Sequence, residues 1–293
     1  MILNYITWDV NPEIFNIGSL SIRWYGLMFA MAFLSGYLVF TKALNIKRLD
    51  AEMLDQLLIY VAIGVIAGAR LGHCLFYEPS YYLSNPIEIL KIWKGGLASH
   101  GAAIGILLAI WLYIKKHKLS FLWLMDRLVI VVPLAGAFIR TGNLFNSEIY
   151  GRATDVPWAF LFVRDRVIDP VTGSLLPNVP SHPTQIYEAL SYLLIFAVLF
   201  ILYKKTKGEL RDGFIFGLFL ILLFSARFFI EFIKNEQVSF EVGMFLNMGQ
   251  LLSLPFIVIG IGLILYTKKR PKYFSKKPIP KKPKKKIEKK IVR

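Results

Sequence analysis

The chain has 293 residues, 56% of them hydrophobic, and a mean hydropathy of +0.53. That is too apolar for a soluble domain, which must keep a polar skin around one core. Its formal net charge of +16 would suggest nucleic acid in a soluble protein. Here the basic residues sit in a few connecting segments and one tail, without interleaved aromatics or a recognisable nucleic-acid module. The single Cys74 excludes an intramolecular disulfide framework and reads as an ordinary buried thiol.

In chain order, Asp9, Asn11, Pro12 and Glu13 precede the first apolar run, and no basic n-region opens the chain, so no cleavable signal peptide is expected. A membrane span needs roughly 20 mostly apolar residues, because each rises about 1.5 Å across about 30 Å of hydrocarbon. Seven runs meet that requirement: 24–41, 54–71, 97–114, 121–139, 185–203, 214–233 and 248–266. Backbone groups in lipid must be satisfied within the segment, so these runs predict helices rather than barrel strands. Basic residues follow the first run (Lys42, Lys47, Arg48), the third (Lys115, Lys116, Lys118) and the fifth (Lys204, Lys205, Lys207, Arg211), and a Lys-rich tail covers 268–293. All four segments fall on one side, which the positive-inside rule makes cytoplasmic. The N-terminus is then outside and the C-terminus inside. The expected organisation is an all-α membrane protein of about seven transmembrane helices, one polytopic catalytic domain over 1–267. A small periplasmic cap over 140–184 lies between the fourth and fifth helices, and the tail is a disordered cytoplasmic extension held near anionic lipid.

With that orientation the unusual residues gather at one depth. Tyr25 opens the first span and Arg70 closes the second. The stretch Gly95-Gly96-Leu97-Ala98-Ser99-His100-Gly101 opens the third, and Arg140, Asn143, Asn146 and Glu148 follow the fourth. His182 to Glu188 lead into the fifth, Arg227 and Glu231 sit in the outward half of the sixth, and Asn247 and Gln250 begin the seventh. Every one belongs to the outer half of the bilayer. Charges inside a membrane helix are costly and usually face protein or water. Arg227 and Glu231, four apart, share a helix face and permit an ion pair. Segment 140–151, RTGNLFNSEIYG, combines a guanidinium, two carboxamides and a carboxylate with glycines that permit a tight non-helical path. Arg140 and Arg227, from different helices, could clamp a phosphate, since the planar guanidinium fork binds two oxygens at once. Trp24 reads as an interfacial anchor, and Asp126 with Arg127 as a helix start and a snorkelling pair. The four histidines lack metal-ligand spacing, so no metal is expected.

Four motifs carry a resemblance: RWYGLMF near the first span, GGLASHG before the third, GAFIRTGNLFNSEIYGR across the end of the fourth, and HPTQIYE before the fifth. ARFFIEF and MGQLLSLP support them. On these the chain resembles the prolipoprotein diacylglyceryl transferase family, over about 5–266. The resemblance implies seven membrane helices, a periplasm-facing head in the bacterial inner membrane, and phosphatidylglycerol as lipid donor. It also implies transfer of the diacylglyceryl group to the lipobox cysteine of a prolipoprotein signal peptide, making a thioether and releasing glycerol phosphate, without a cofactor. The residues matched are Tyr25, His100, Arg140, Asn143, Asn146, Glu148, Gly151, Arg227 and Glu231. The chain departs from the usual pattern at Ile139, Ala102, Ser147 (usually Gly), Leu223 (usually Tyr) and Lys234 (frequently Arg).

The substrate supplies the nucleophile. A thiol has a pKa of about 8.5 and reacts as the thiolate. His100 is the candidate base, Arg140 and Arg227 stabilise the departing phosphate, and Glu231 and Glu148 orient the arginines. Tyr25, Arg70, Asn143, Asn146 and Gly151 complete the substrate-binding set. Alternatively the thiol proton goes to water or substrate phosphate, and His100 only positions. A phospholipid transporter would also use arginines, but it needs polar residues along a path through the whole bilayer. A scaffold would explain the ion pair but not the outer loop.

Overall fold

The computed structural model describes residues 5–18, 20–44, 49–92, 95–165, 174–235 and 244–269. Lys47, Arg48, residues 166–173 of the expected cap and residues 270–293 of the tail lie outside the described residues. Eight α-helices carry the described architecture: α1 (Trp24–Leu38, prolonged by a π-helical turn over Val39–Ala43), α2 (Ala51–Phe76), α3 (Pro79–Ser84), α4 (Ser99–His117), α5 (Phe121–Phe145), α6 (Thr184–Lys205), α7 (Phe214–Ile230, tightening into a 3₁₀ turn over Glu231–Ile233) and α8 (Met248–Lys268). Six of these, counting the extensions of α1 and α7, are long and apolar enough to cross a membrane, so the chain is a multi-pass membrane protein. Ile63, Leu194 and Val258 lie exposed on their flanks, at little cost where the solvent is lipid. The expected third span is helical as α4. Its 19 residues open on Ser99-His100-Gly101 and close on Lys115-Lys116-His117, and it is not among the six.

An apolar core that includes Phe40, Leu44, Leu57, Tyr113, Leu124, Leu199, Ile215 and Phe219 fills the bundle down to one end. The basic helix ends meet there: Lys204 Nζ donates to the Ala43 carbonyl at 3.1 Å and Arg211 to the Lys268 carbonyl at 2.8 Å. At the same end, Asp126 accepts from the backbone N–H of Gly213 (2.7 Å) and Phe216 (2.8 Å). It therefore caps α7 from the neighbouring helix, where first-turn donors lack intrahelical acceptors. Arg127 lies 4.0 Å from the Trp123 ring centroid and donates to the Trp123 carbonyl. Both residues are buried, which corrects the expected snorkelling pair: their charges are spent inside, on backbone and on an aromatic face.

α2 packs on α4 almost backbone to backbone. A Cβ on Gly64 would lie 2.7 Å from the Gly105 carbonyl oxygen, and Gly68, Gly72 and Gly101 continue the same seam. Small residues let membrane helices approach closely and gain van der Waals contact where lipid gives no hydrophobic drive.

The opposite end carries two small sheets that correct the all-α expectation to mostly helical. β1 (Tyr5–Trp8) pairs in parallel with β4 (Ala159–Phe162), and β2 (Glu13–Ile17) forms an antiparallel hairpin with β3 (Leu20–Arg23). The first pairing joins segments distant in sequence, which local patterning cannot reveal. Trp8 fastens it by donating from Nε1 to the Leu144 carbonyl at 3.0 Å, beside a second apolar cluster of Leu144, Phe160 and Phe162.

Candidate active site

α5 runs on to Phe145, six residues past the expected end at Ile139, so Arg140 and Asn143 occupy helical positions three apart rather than a non-helical loop. Residues at that spacing share a face, and Arg140 Nη1 donates to Asn143 Oδ1 at 3.2 Å. The chain then turns sharply through Ser147 (φ 55°) and Ile149 (φ 60°). This return brings Glu148 back onto the helix end, where its Oε1 accepts from Asn143 Nδ2 (2.7 Å) and Asn146 Nδ2 (3.2 Å). From α6, Gln185 Nε2 donates to the Glu148 carbonyl at 2.7 Å and Thr184 Oγ1 to the Ile149 carbonyl at 3.0 Å. The carboxylate is thus fixed by two amides and its backbone by two more side chains. Just beyond, Tyr150 donates its hydroxyl to Asp165. Burial, reinforced by Asp165, pushes the Tyr150 hydroxyl up, so it stays a donor.

The charge that meets Arg140 directly is Glu188. Arg140 Nε lies 2.7 Å from Glu188 Oε2, with side-chain exposures of 15% and 1%, and Tyr192 lies near enough to Arg140 to act on it electrostatically. Lys234 Nζ stands 3.5 Å from Glu188 and 3.7 Å from Glu231. The permitted pair between Arg227 and Glu231 does not form. α7 tightens at Glu231, and in a 3₁₀ turn positions three apart eclipse, so Glu231 meets Lys234 instead. Arg227 lies near enough to Tyr192 to act on it electrostatically, and its guanidinium makes no hydrogen bond or ion pair among the described residues. Three cations (Arg140, Arg227, Lys234) and three carboxylates (Glu148, Glu188, Glu231) therefore share this end of the bundle. Removing one partner of a buried ion pair leaves an uncompensated charge, so Arg140, Lys234, Glu188 and Glu231 depend on one another.

Neighbouring elements complete it. Tyr25 lies against Gly142, where a Cβ would be 2.9 Å from its ring, and close to the charges of Arg140 and Glu148. Trp24, half-buried, stacks on Phe145 with centroids 4.9 Å apart, which ties α1 to α5 where an interfacial anchor was expected. At Gly151 three segments converge: its N–H donates to the His182 carbonyl at 2.8 Å, and it bridges Lys234. A Cβ there would lie 2.7 Å from Thr184 Cγ2 and 2.8 Å from His182 Cβ and would run into the Ile233 carbonyl. Gly151 thus serves close packing within the site. On α8, Asn247 and Gln250 form a capping box, and the absent side chain of Gly249 makes room for the Glu231 carboxyl.

The structure so brings Tyr25, Arg140, Asn143, Asn146, Glu148, Gly151, Arg227 and Glu231 to one end of the bundle. Two expected members make no hydrogen bond or ion pair with this network among the described residues. Arg70 is buried on α2 with its donors on backbone carbonyls. His100, the second residue of α4, is exposed and makes no hydrogen bond or ion pair among the described residues. Sequence reasoning missed Glu188, Tyr192, Gln185 and Lys234 as members. For Glu188 the signal was present: an acidic residue in the first turns of an apolar span is a functional hypothesis by itself.

Comparison with known proteins bears on this whole assembly. The family model for prolipoprotein diacylglyceryl transferase matches residues 12–266. The chain belongs to that family. A phosphatidylglycerol–prolipoprotein diacylglyceryl transferase of Tolumonas auensis is 47% identical over 263 residues, 89% of this chain and 97% of the relative. Proteins of the same name from Porphyromonas gingivalis (46% over 276 residues; 91% and 96%) and Bacteroides fragilis (42% over 277 residues; 90% and 96%) are similar over comparable lengths. The prolipoprotein diacylglyceryl transferase match takes in every residue of the buried charge network, from Tyr25 to Gln250.

Proposed function

We propose that the chain transfers the diacylglyceryl group of phosphatidylglycerol to the lipobox cysteine of prolipoproteins. The observation that carries this reading is the buried Arg140–Glu188 pair, flanked by Arg227 and Lys234 at one end of an apolar bundle. The substrates are those in the names of the relatives. The thiolate sulfur attacks the glycerol carbon that bears the phosphate ester. A C–S bond forms, the C–O bond breaks, and its electron pair leaves on glycerol phosphate. Charge grows on the phosphate oxygens as the bond lengthens, and Arg140 and Arg227 stabilise it where fixed dipoles replace water. Glu188 pairs with Arg140 at Nε and Asn143 accepts from Nη1, so Nη2 is left for the ligand. Glu148, braced by Asn143 and Asn146, closes the site beside Tyr25. His100 accepts the thiol proton from the peptide. Because His100 makes no hydrogen bond or ion pair with the arginine network among the described residues, a second reading stands beside this one, in which a phosphate oxygen takes that proton.

Seven helices cross the inner membrane, α4 included, with the N-terminus periplasmic. The sheet-bearing end with segment 140–184 forms a periplasmic cap, and the basic tail after residue 267 lies in the cytoplasm. The meeting of Lys204 with Ala43 and of Arg211 with Lys268, opposite the charge network, supports this orientation. Both substrates reach the site from the lipid.

Purified protein, labelled phosphatidylglycerol and a lipobox peptide, followed by mass spectrometry, test the reading. A diacylglyceryl adduct on the peptide cysteine, absent when that cysteine is serine, is expected. Folded protein that makes no adduct but moves lipid between leaflets would overturn it. H100A in the same assay separates the two proton acceptors: loss of transfer favours the imidazole, near-normal turnover the phosphate.

A further inference from the structure

Arg70 is 3% exposed, and no carboxylate pairs with it among the described residues. Its Nε donates to the Ile89 carbonyl at 2.9 Å, Nη2 to Glu88 at 2.5 Å, and Nη1 to Gly95 at 2.6 Å and Gly96 at 3.2 Å. The guanidinium also lies 4.9 Å from the Tyr82 ring centroid. A guanidinium has five N–H donors in a rigid fork, and these contacts spread it across two separate backbone segments. The glycines make the second segment possible. Gly95 (φ 85°) and Gly96 (φ 71°) are both left-handed, which turns successive carbonyls onto one nitrogen. A Cβ on Gly96 would lie 2.7 Å from Arg70 Nη1 and 2.8 Å from His73 Nε2.

Leu97 and Ala98 link Gly96 to the first turn of α4. The Ala98 N–H donates to the Ala69 carbonyl at 2.9 Å, and Gly101 lies on the α2 backbone at Gly68 and Gly72. His100 is bracketed by these two contacts, and its imidazole has no hydrogen bond of its own to hold it among the described residues. Backbone placement therefore sets where that ring stands, through these two contacts and, a few residues earlier, the clamp on residues 95 and 96.

We infer that Arg70 is a positioning residue that fixes His100 through the Gly95–Gly96 backbone, and that it does not bind the phospholipid headgroup. The role rests on the proposed reaction only for its consequence for turnover. Lysine, with one nitrogen on a flexible stem, cannot bridge two segments, so R70K keeps the charge and removes the clamp.

The test uses purified full-length R70K with phosphatidylglycerol vesicles and a lipobox peptide, and diethyl pyrocarbonate labelling of His100 read by mass spectrometry. The expected result is a fall in kcat of about ten- to a hundred-fold, since displacement on the order of 1 Å can cost that much. KM for phosphatidylglycerol should stay within about two-fold, and the labelling rate of His100 should change. A raised KM with unchanged kcat, or unchanged His100 labelling, overturns the inference. Should R70K not fold, G96A, which drives a methyl into the clamp from the other side, must give the same kcat and labelling changes. Wild-type behaviour in G96A is equally fatal. If His100 proves dispensable for turnover, altered labelling in R70K still upholds the positioning role, while the proposed role of His100 falls separately.

Discussion

The buried Arg70 and the half-buried Arg140 are solved by different chemistry. Arg70 spends its fork on carbonyls of the α2–α4 connection, while Arg140 meets Glu188 at Nε and Asn143 at one terminal nitrogen. Carbonyl dipoles are part of the backbone and cannot leave, so Arg70 is a rivet. A carboxylate fixes orientation but leaves a cation's outer face available, and Arg140 stands among further unspent charge, Arg227 above all. Buried arginine alone therefore does not mark a site. The partner chemistry does.

The hardest way to break this contrast is to remove the side chain at the site. R140A should lower kcat/KM by about a hundred- to a thousand-fold, the usual scale for losing one donor to a developing oxyanion. The protein should stay folded, because Lys234 at 3.5 Å still compensates Glu188. Transfer rates together with solubility in mild detergent check both halves. An inactive but aggregated R140A would instead make Arg140 a second rivet.

E188Q sharpens the same point more gently. Glutamine keeps the shape but removes the charge that stands 2.7 Å from Arg140 Nε, so the guanidinium loses its nearest counter-ion. The expectation is a loss of about ten-fold, larger than for E231Q, since Glu231 meets Lys234 and not Arg227. If E231Q proves the more damaging, the carboxylate that orients the chemistry has been misassigned.

Much of this was legible in the sequence. Apolar runs gave the helices, and the depth of Tyr25, Arg140, Asn143, Glu148 and Arg227 placed those residues together at one end of the bundle. What stayed hidden depended on partners far along the chain. Arg140 and Glu188 are 48 positions apart, and Tyr5 pairs with Ala159. No periodicity announces either contact. The contacts of Arg70 stayed hidden because carbonyl acceptors are invisible in a sequence: every residue has one. The pairing of Arg227 with Glu231 failed for a local reason, the tightening of α7 by which Glu231 faces Lys234.

Asp126 extends the contrast to the opposite end. Like Arg70 it serves backbone, holding the N–H groups of Gly213 and Phe216. D126A leaves two helix-end donors without an acceptor in a buried place, at a cost of about 1–3 kcal/mol. Thermal unfolding should shift down, while KM for phosphatidylglycerol in the folded fraction stays unchanged. A selective loss of activity at unchanged stability would mean that the two ends are coupled.

Ser147 gives the smallest effect and the finest test. It sits between Asn146 and Glu148 in the left-handed region at φ 55°, where a Cβ costs about 1–2 kcal/mol relative to glycine. Its Oγ is buried with no hydrogen-bond partner among the described residues, a second small penalty. Glycine at this position would relieve both, offset by about 0.5–1 kcal/mol of extra chain entropy. S147G should therefore be slightly more stable, by about 1 kcal/mol, with Glu148 still held by Asn143 and Asn146 and turnover unchanged. More stability with less turnover would give the orphan hydroxyl a partner that only the bound substrate provides. Position 147 would then belong with Arg140, whose role lies in what it leaves unsatisfied, and not with the saturated Arg70.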